Sequence, residues 1–126
     1  MNIRLASECD MPMVLCCLKV FGNPTARKFA FEHRTYVAEH RGLVVGTARL
    51  DFVLRLVKGS EARIEDVAVL SEFSRQGIGT ELVKFLTKEA KKLGCYKVQL
   101  TCAPKLEGWY SKLGFRRHEV NMRIDL

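Results

Sequence analysis

The stretch Ser74-Arg75-Gln76-Gly77-Ile78-Gly79-Thr80 is where residue types and spacing point most directly to chemistry. It stands between a run that alternates with period two and a run with helical period, so it forms the turn at which a helix begins. A helix N-terminus leaves backbone N–H groups without partners and carries partial positive charge. An anion placed there meets donors already oriented, and phosphate is the usual guest. Glycine at 77 and 79 suits the strained dihedrals of such a bend and keeps bulk away from a pyrophosphate. A plain strand-to-helix turn would also accept the pair. The Walker pattern is excluded, because Thr80 and Glu81 rather than lysine follow the second glycine. The dinucleotide fingerprint is excluded as well, since no third glycine or alanine stands near Leu82 and no acidic residue ends a strand about twenty residues on.

The other reactive residue types give weaker signals. Cys9, Cys16, Cys17, Cys95 and Cys102 contain no C-x-x-C pair, which reads as reduced thiols packed as small hydrophobes and not as a zinc or redox site. A nucleophilic cysteine would need a nearby base, and His33, His40 and His118 are scattered. No metal is expected. The net charge of +7 favours anionic partners: nucleic acid, an acidic membrane surface or a phosphorylated small molecule. Lys84, Lys88, Lys91 and Lys92 fall on one helix, the pattern of a solvated face, so a nucleic-acid partner is not expected.

The elements that must position this turn follow from periodicity. "IRLA" reads as a first strand, and "DMPMVLCCLKV" as a helix with Asp10 at its N-cap and Pro12 in its first turn. "TARKFAFEH" suggests another short helix. Thr35 to Glu39 and "LVVGTARLDFVLRL" form an antiparallel pair about a turn at Arg41-Gly42, and "KGSEA" is the next turn. "RIEDVAVL" alternates as a strand, with Ile64, Asp66 and Ala68 against Glu65, Val67 and Val69. From Ile78 the period becomes helical through Leu82, Phe85, Leu86 and Leu93, and Gly94 closes the run. "YKVQLTC" is a compact strand, "LEGWYSKLG" a short helix, and "FRRHEVNMRIDL" a terminal hairpin or strand pair. The order predicts α/β (α+β) architecture on a mixed, mostly antiparallel sheet flanked by helices, with a strand-helix-strand crossover from Arg63 to Cys102. At 126 residues the chain fits one domain, 1–126. No apolar run approaches a membrane span and the N-terminus lacks a signal-peptide core, so a soluble, cytoplasmic protein is expected.

The blocks "IEDVAV", "SRQGIGTELV", "KLGCYKVQLTC" and "GWYSKLGF" resemble the GNAT acetyltransferase superfamily, and most closely its glucosamine-6-phosphate N-acetyltransferases. The resemblance runs from Arg63 to Phe115. It implies the GNAT fold, in which splayed central strands open the sheet for acetyl-CoA and the pyrophosphate rests on the glycine turn. It further implies that the backbone of Val67, Ala68 and Val69 lies along the acetyl and pantetheine end, with one amide polarising the thioester carbonyl. Arg75, Gln76, Gly77, Ile78, Gly79 and Thr80 would take the pyrophosphate. Tyr110 would bond the CoA sulfur and protonate the leaving thiolate, a role a phenol with a pKa of ~10 can fill.

Glu65 and Asp66 match an acidic pair lining the amino-sugar site, with Tyr96 and Lys97 near the sugar phosphate. Adjacent strand residues face opposite ways, so both can reach one pocket only if a bulge intervenes. There are departures. Ser74 stands where the superfamily's turn usually begins with Gln or Arg, Thr101 where the sugar acetyltransferases carry an acidic residue, Leu106 where an asparagine is expected near CoA, and Asp125 near a basic position. Arg123, Arg55 and Lys58 are further candidates for the phosphate. The implied activity is acetyl transfer to glucosamine 6-phosphate, giving N-acetylglucosamine 6-phosphate for UDP-N-acetylglucosamine synthesis, by a homodimer whose substrate site lies at the subunit contact. The alternatives are acetylation of protein, peptide or other small amines, and a CoA- or nucleic-acid-binding module without catalysis.

Overall fold

Arg41 and Gly42 both take positive φ, 50° and 78°, which is the twist a two-residue hairpin turn requires. The apolar alternation on either side pairs as β2, His33–His40, and β3, Leu43–Arg55. The computed structural model describes residues 1–21, 33–55 and 59–126. In it β1, Asn2–Leu5, pairs antiparallel with β2, and β4, Gly59–Val69, antiparallel with β3. β5, Val98–Gln99, runs parallel to β4, in the order β1-β2-β3-β4-β5. The parallel pair is joined by α2, Ile78–Lys92, the expected crossover.

Helices cover the two faces unequally. On one face α2 buries Ile78, Leu82, Val83, Leu86 and Ala90 against Tyr36, Ala38, Ala48, Leu50, Ala62 and Ile64. Complete burial of leucines such as Leu50, Leu82 and Leu86 contributes about 1.5–3 kcal/mol each. Gly46 permits the close approach, since a Cβ there would stand 3.1 Å from Ile78 Cγ2 and Leu82 Cδ1. On the other face α1, Met11–Leu18, covers a smaller cluster of Val14, Cys17, Val37, Val44 and Ala68. Burial pushes the Cys17 thiol up to about 11, with Cys16 adding to the shift, so it is inert packing. A short third helix, α3, spans Glu107–Lys112.

The structure corrects several expectations. Asp10 is not a side-chain N-cap of α1: its carboxylate accepts from Ser7 N at 2.7 Å and from Arg4 Nη1 and Nη2 at 2.7 and 2.8 Å. Gly59 to Ala62, expected in a turn, already belong to β4. Leu93 lies beyond α2 and is 41% exposed. "YKVQLTC" is strand only at Val98–Gln99, because β5 turns away from β4. Residues 116–126 form no strand, having no partner strand among the described residues. "TARKFAFEH" up to Glu32 lies outside the described residues, as do Lys58 and the side chain of Arg55.

Candidate active site

β4 carries one more residue than β3 between two paired positions: Thr47 faces Ala68 and Arg49 faces Glu65. The extra residue makes a bulge at Asp66, whose φ is 55°, a left-handed conformation uncommon outside glycine. The slip changes which way side chains point. Ile64 packs toward α2 and so do Val67 and Val69, while Ala68 packs toward α1. The strict alternation read from "RIEDVAVL" therefore breaks at Asp66, and Glu65 and Asp66 can share the α1 face.

Just past the bulge the sheet opens. β4 and β5 are in register only at Ala62 with Val98 and Arg63 with Gln99. Leu70 N–H donates to Val45 O at 2.8 Å, on the β3 side. Alternation along the strand then turns the amides of Val69 and Val67 toward the gap, and that of Ala68 toward β3. The Val67 and Val69 amides face an opening that no strand among the described residues fills.

The glycine turn lies at the same end. Gly77 is the N-cap of α2 with φ 81°, and no side chain caps it. Glu81 N–H makes the first intrahelical bond, to Gly77 O at 3.0 Å, so the amides before it are free for another acceptor. A Cβ on Gly77 would meet nothing within 4 Å, so its glycine answers to backbone geometry and to the open space above it. Arg75 also has positive φ, 61°, and with Gln76 is exposed. Ile78 is buried in the core beneath, so only its backbone can face a ligand; Thr80 is half-buried. A Cβ on Gly79 would lie 3.5 Å from Trp109 Cζ2, an ordinary contact that fixes α3 against the first turn of α2.

That contact sets Tyr110 in place. Its ring is 9% exposed and makes edge contacts with Trp109 and Phe115 at centroid distances of 4.6 and 5.8 Å. Among the described residues its hydroxyl has no hydrogen-bond partner. Burial raises its pKa, with Cys102 and Glu65 adding to the shift. The phenol is thus a protonated donor at neutral pH.

The end of the α1 face that α1 leaves open is charged. Cross-strand pairing sets His33, Asp51 and Arg63 in one row and Arg49 and Glu65 in the next. Arg49 donates from Nε and Nη2 to Asp51 at 2.7 and 3.0 Å and from Nη1 to Asp66 at 2.9 Å. Burial opposes its charge, but these carboxylates more than offset that and hold it firmly charged. His33 Nδ1 lies 2.7 Å from Asp51 Oδ1. Arg63 donates to Glu65 at 3.4 Å and to Thr101 at 3.3 Å. Farther along, Glu61, 1% exposed, accepts from Tyr96 Oη at 3.1 Å and Gln99 Nε2 at 2.9 Å, with Lys97 Nζ at 3.4 Å.

Of the residues picked out in the sequence, Glu65, Asp66, Val67, Val69 and Tyr110 border the opening, and Gly77 to Thr80 form its α2 side. Tyr96 and Lys97 group instead around Glu61. Arg123 pairs with Asp125 at 2.7 Å on the exposed C-terminal segment. Arg49, Asp51, His33 and Arg63 were not picked out; their signal is the same-face spacing Arg49-x-Asp51 and Arg63-x-Glu65, which acquires meaning only once strand register is known. All five cysteines are free, and among the described residues no three side chains gather as a metal site and no helix is long and apolar enough to cross a membrane.

A sequence profile described as the acetyltransferase (GNAT) family matches residues 15–115. A protein of Trypanosoma brucei brucei named glucosamine 6-phosphate N-acetyltransferase is 35% identical over 102 residues, which are 79% of this chain and 69% of that protein. A rice protein, from Oryza sativa subsp. japonica, named probable glucosamine 6-phosphate N-acetyltransferase 2, is 41% identical over 66 residues, 52% of this chain and 40% of its own length. A crystal structure of a Trypanosoma brucei acetyltransferase matches with a TM-score of 0.87 at 30% identity, covering 99% of both chains.

Proposed function

Because the chain belongs to the GNAT acetyltransferase family, we propose that it moves the acetyl group of acetyl-CoA to the amine of glucosamine 6-phosphate, the acceptor named in its relatives, and that residues 1–126 act as one domain. The observation that carries the reading is the gap beside β4, edged by the free amides of Val67 and Val69, with the bare N-terminus of α2 at the same end and Tyr110 near enough to Glu65 and Cys102 to feel their charge. A pantetheine arm fits such a gap because it offers amides to an unpaired strand edge, and a pyrophosphate fits the turn because it accepts from several oriented N–H groups. Arg75, Gln76, Gly77, Ile78, Gly79 and Thr80 would hold the pyrophosphate. Val67, Ala68 and Val69 would hold the arm.

When bound, acetyl-CoA supplies an activated acetyl group on a thiol leaving group. The chain's own residues do the rest. A β4 amide facing the gap lowers the energy of charge on the carbonyl oxygen. Tyr110 donates its proton to the sulfur as the carbon–sulfur bond breaks. Glu65, touched by Arg63 only at 3.4 Å, keeps lone pairs to accept a proton from the amine as the carbon–nitrogen bond forms. Asp66, neutralised by Arg49, holds the bulge in shape. Thr101 adds a hydroxyl to the polar surface for the acceptor, while Tyr96 and Lys97 stand apart from it on the Glu61 carboxylate.

We place the reaction in the cytoplasm, which the five unpaired thiols favour. A second copy of the chain is part of the reading: Val120, Met122, Ile124 and Leu126 alternate along the C-terminal segment and each is at least 82% exposed. Acetylation of a peptide amine is the second reading, favoured by the hydroxyl at Thr101 where a carboxylate is expected. Thiol release from acetyl-CoA, measured with glucosamine 6-phosphate, glucosamine and a peptide amine, separates them. The sugar phosphate is expected to give the highest kcat/KM. Turnover of the peptide alone would install the second reading, and no release with any amine would leave a CoA- or nucleic-acid-binding module.

A further inference from the structure

Three described cations line the charged face beside the opening, and two of them are already engaged. Lys97 Nζ lies 3.4 Å from the buried carboxylate of Glu61, which also accepts from Tyr96 and Gln99. Arg49 is forked onto Asp51 and joined to Asp66. Arg63 differs. Its bonds to Glu65 and Thr101, at 3.4 and 3.3 Å, lie beyond the usual range for N–H donors. Its Nη1 has no partner among the described residues, and its side chain is 32% exposed.

Place and chemistry then agree. Arg63 is the last β4 residue in register with β5, so its guanidinium stands where the two strands part. It lies two residues before Glu65 on the same face, about 6.6 Å along the strand. Across the mouth, two residues beyond the end of β5, stands the exposed Thr101, a hydroxyl that cannot neutralise a guanidinium but can donate to an anion. A carboxylate there would have saturated Arg63. We propose that Arg63, with the Thr101 hydroxyl, is the anion anchor of the acceptor pocket, taking the phosphate monoester of the acceptor while the amine lies by Glu65. This rests on the acceptor reading above and assigns its phosphate to Arg63 in preference to Lys97. Arginine suits the task, because its planar donors meet phosphate oxygens in pairs, a geometry lysine lacks.

The test compares kcat/KM for glucosamine 6-phosphate with that for glucosamine in wild type, Arg63→Ala, Arg63→Lys and Lys97→Ala, with CoA binding and thermal melts to establish folding. The preference for the phosphorylated sugar is expected to fall at least tenfold in Arg63→Ala, to be partly restored in Arg63→Lys and to persist in Lys97→Ala. Preference kept in Arg63→Ala, or lost in Lys97→Ala instead, overturns the proposal. Calorimetry with glucose 6-phosphate, which has no amine, reads the anchor without turnover. If neither sugar is acetylated by wild type, the acceptor reading fails, and the anchor is judged by this titration alone. Wild-type binding that Arg63→Ala abolishes supports it; equal binding in both, or none in wild type, overturns it.

Discussion

Tyr110 combines a ring enclosed by Trp109 and Phe115 with a hydroxyl that no described residue engages. The ring is enclosed but the hydroxyl oxygen is not closed off from solvent, so it stands available to a ligand atom, the role proposed for it above. Removing the oxygen alone should then separate chemistry from packing. Tyr110→Phe is expected to lower kcat by about 100-fold, the lower end of what a positioned acid contributes, while the Kd for CoA, by calorimetry, changes little. An equal loss of CoA affinity and turnover would make the phenol a binding group and not the acid. Its pKa is raised by burial, so the proton is retained at neutral pH and lost only above the ordinary phenol value of ~10. Wild-type kcat should therefore show no alkaline fall from this group below that value.

Gly77 shows what an element's end contributes. With φ 81° and open space where a Cβ would go, substitution strains the backbone without a collision. Gly77→Val is expected to remain folded, at a cost of about 1–3 kcal/mol in strain, and to bind CoA at least tenfold more weakly. Unchanged CoA affinity would remove the pyrophosphate from the turn. This element was legible in the sequence because its signals are local: a change of period at Ile78, and glycines at each end of a 15-residue helix. The Arg41-Gly42 hairpin was legible for the same reason. The bulge at Asp66 was not, since an extra residue in β4 is defined only against β3. Nor was the brevity of β5, because "YKVQLTC" has strand composition throughout and its departure from β4 is a matter of pairing. His33 with Asp51, Arg49 with Asp66, and Asp10 with Arg4 are likewise contacts between elements, which residue spacing along one strand cannot supply.

At the scale of the whole molecule, the C-terminal segment is the part whose sequence and surroundings disagree. Val120, Met122, Ile124 and Leu126 have the alternation of a half-buried strand, yet each is at least 82% exposed in the isolated chain. Four apolar side chains in a row on solvent mark an interaction surface, and β5 presents an edge on the side away from β4. A second copy related by two-fold symmetry would cover both copies of this segment at once. The expected outcome is a dimer by light scattering at micromolar concentration. Met122→Asp with Ile124→Asp should give a folded monomer, because these side chains are 86% and 82% exposed in their own subunit. If the acceptor pocket is completed at the contact, that monomer should still bind CoA, which needs only the β4 opening and the α2 turn, but lose turnover of glucosamine 6-phosphate. A wild-type monomer with full activity would confine the site to one chain and leave the exposed stripe for a different partner.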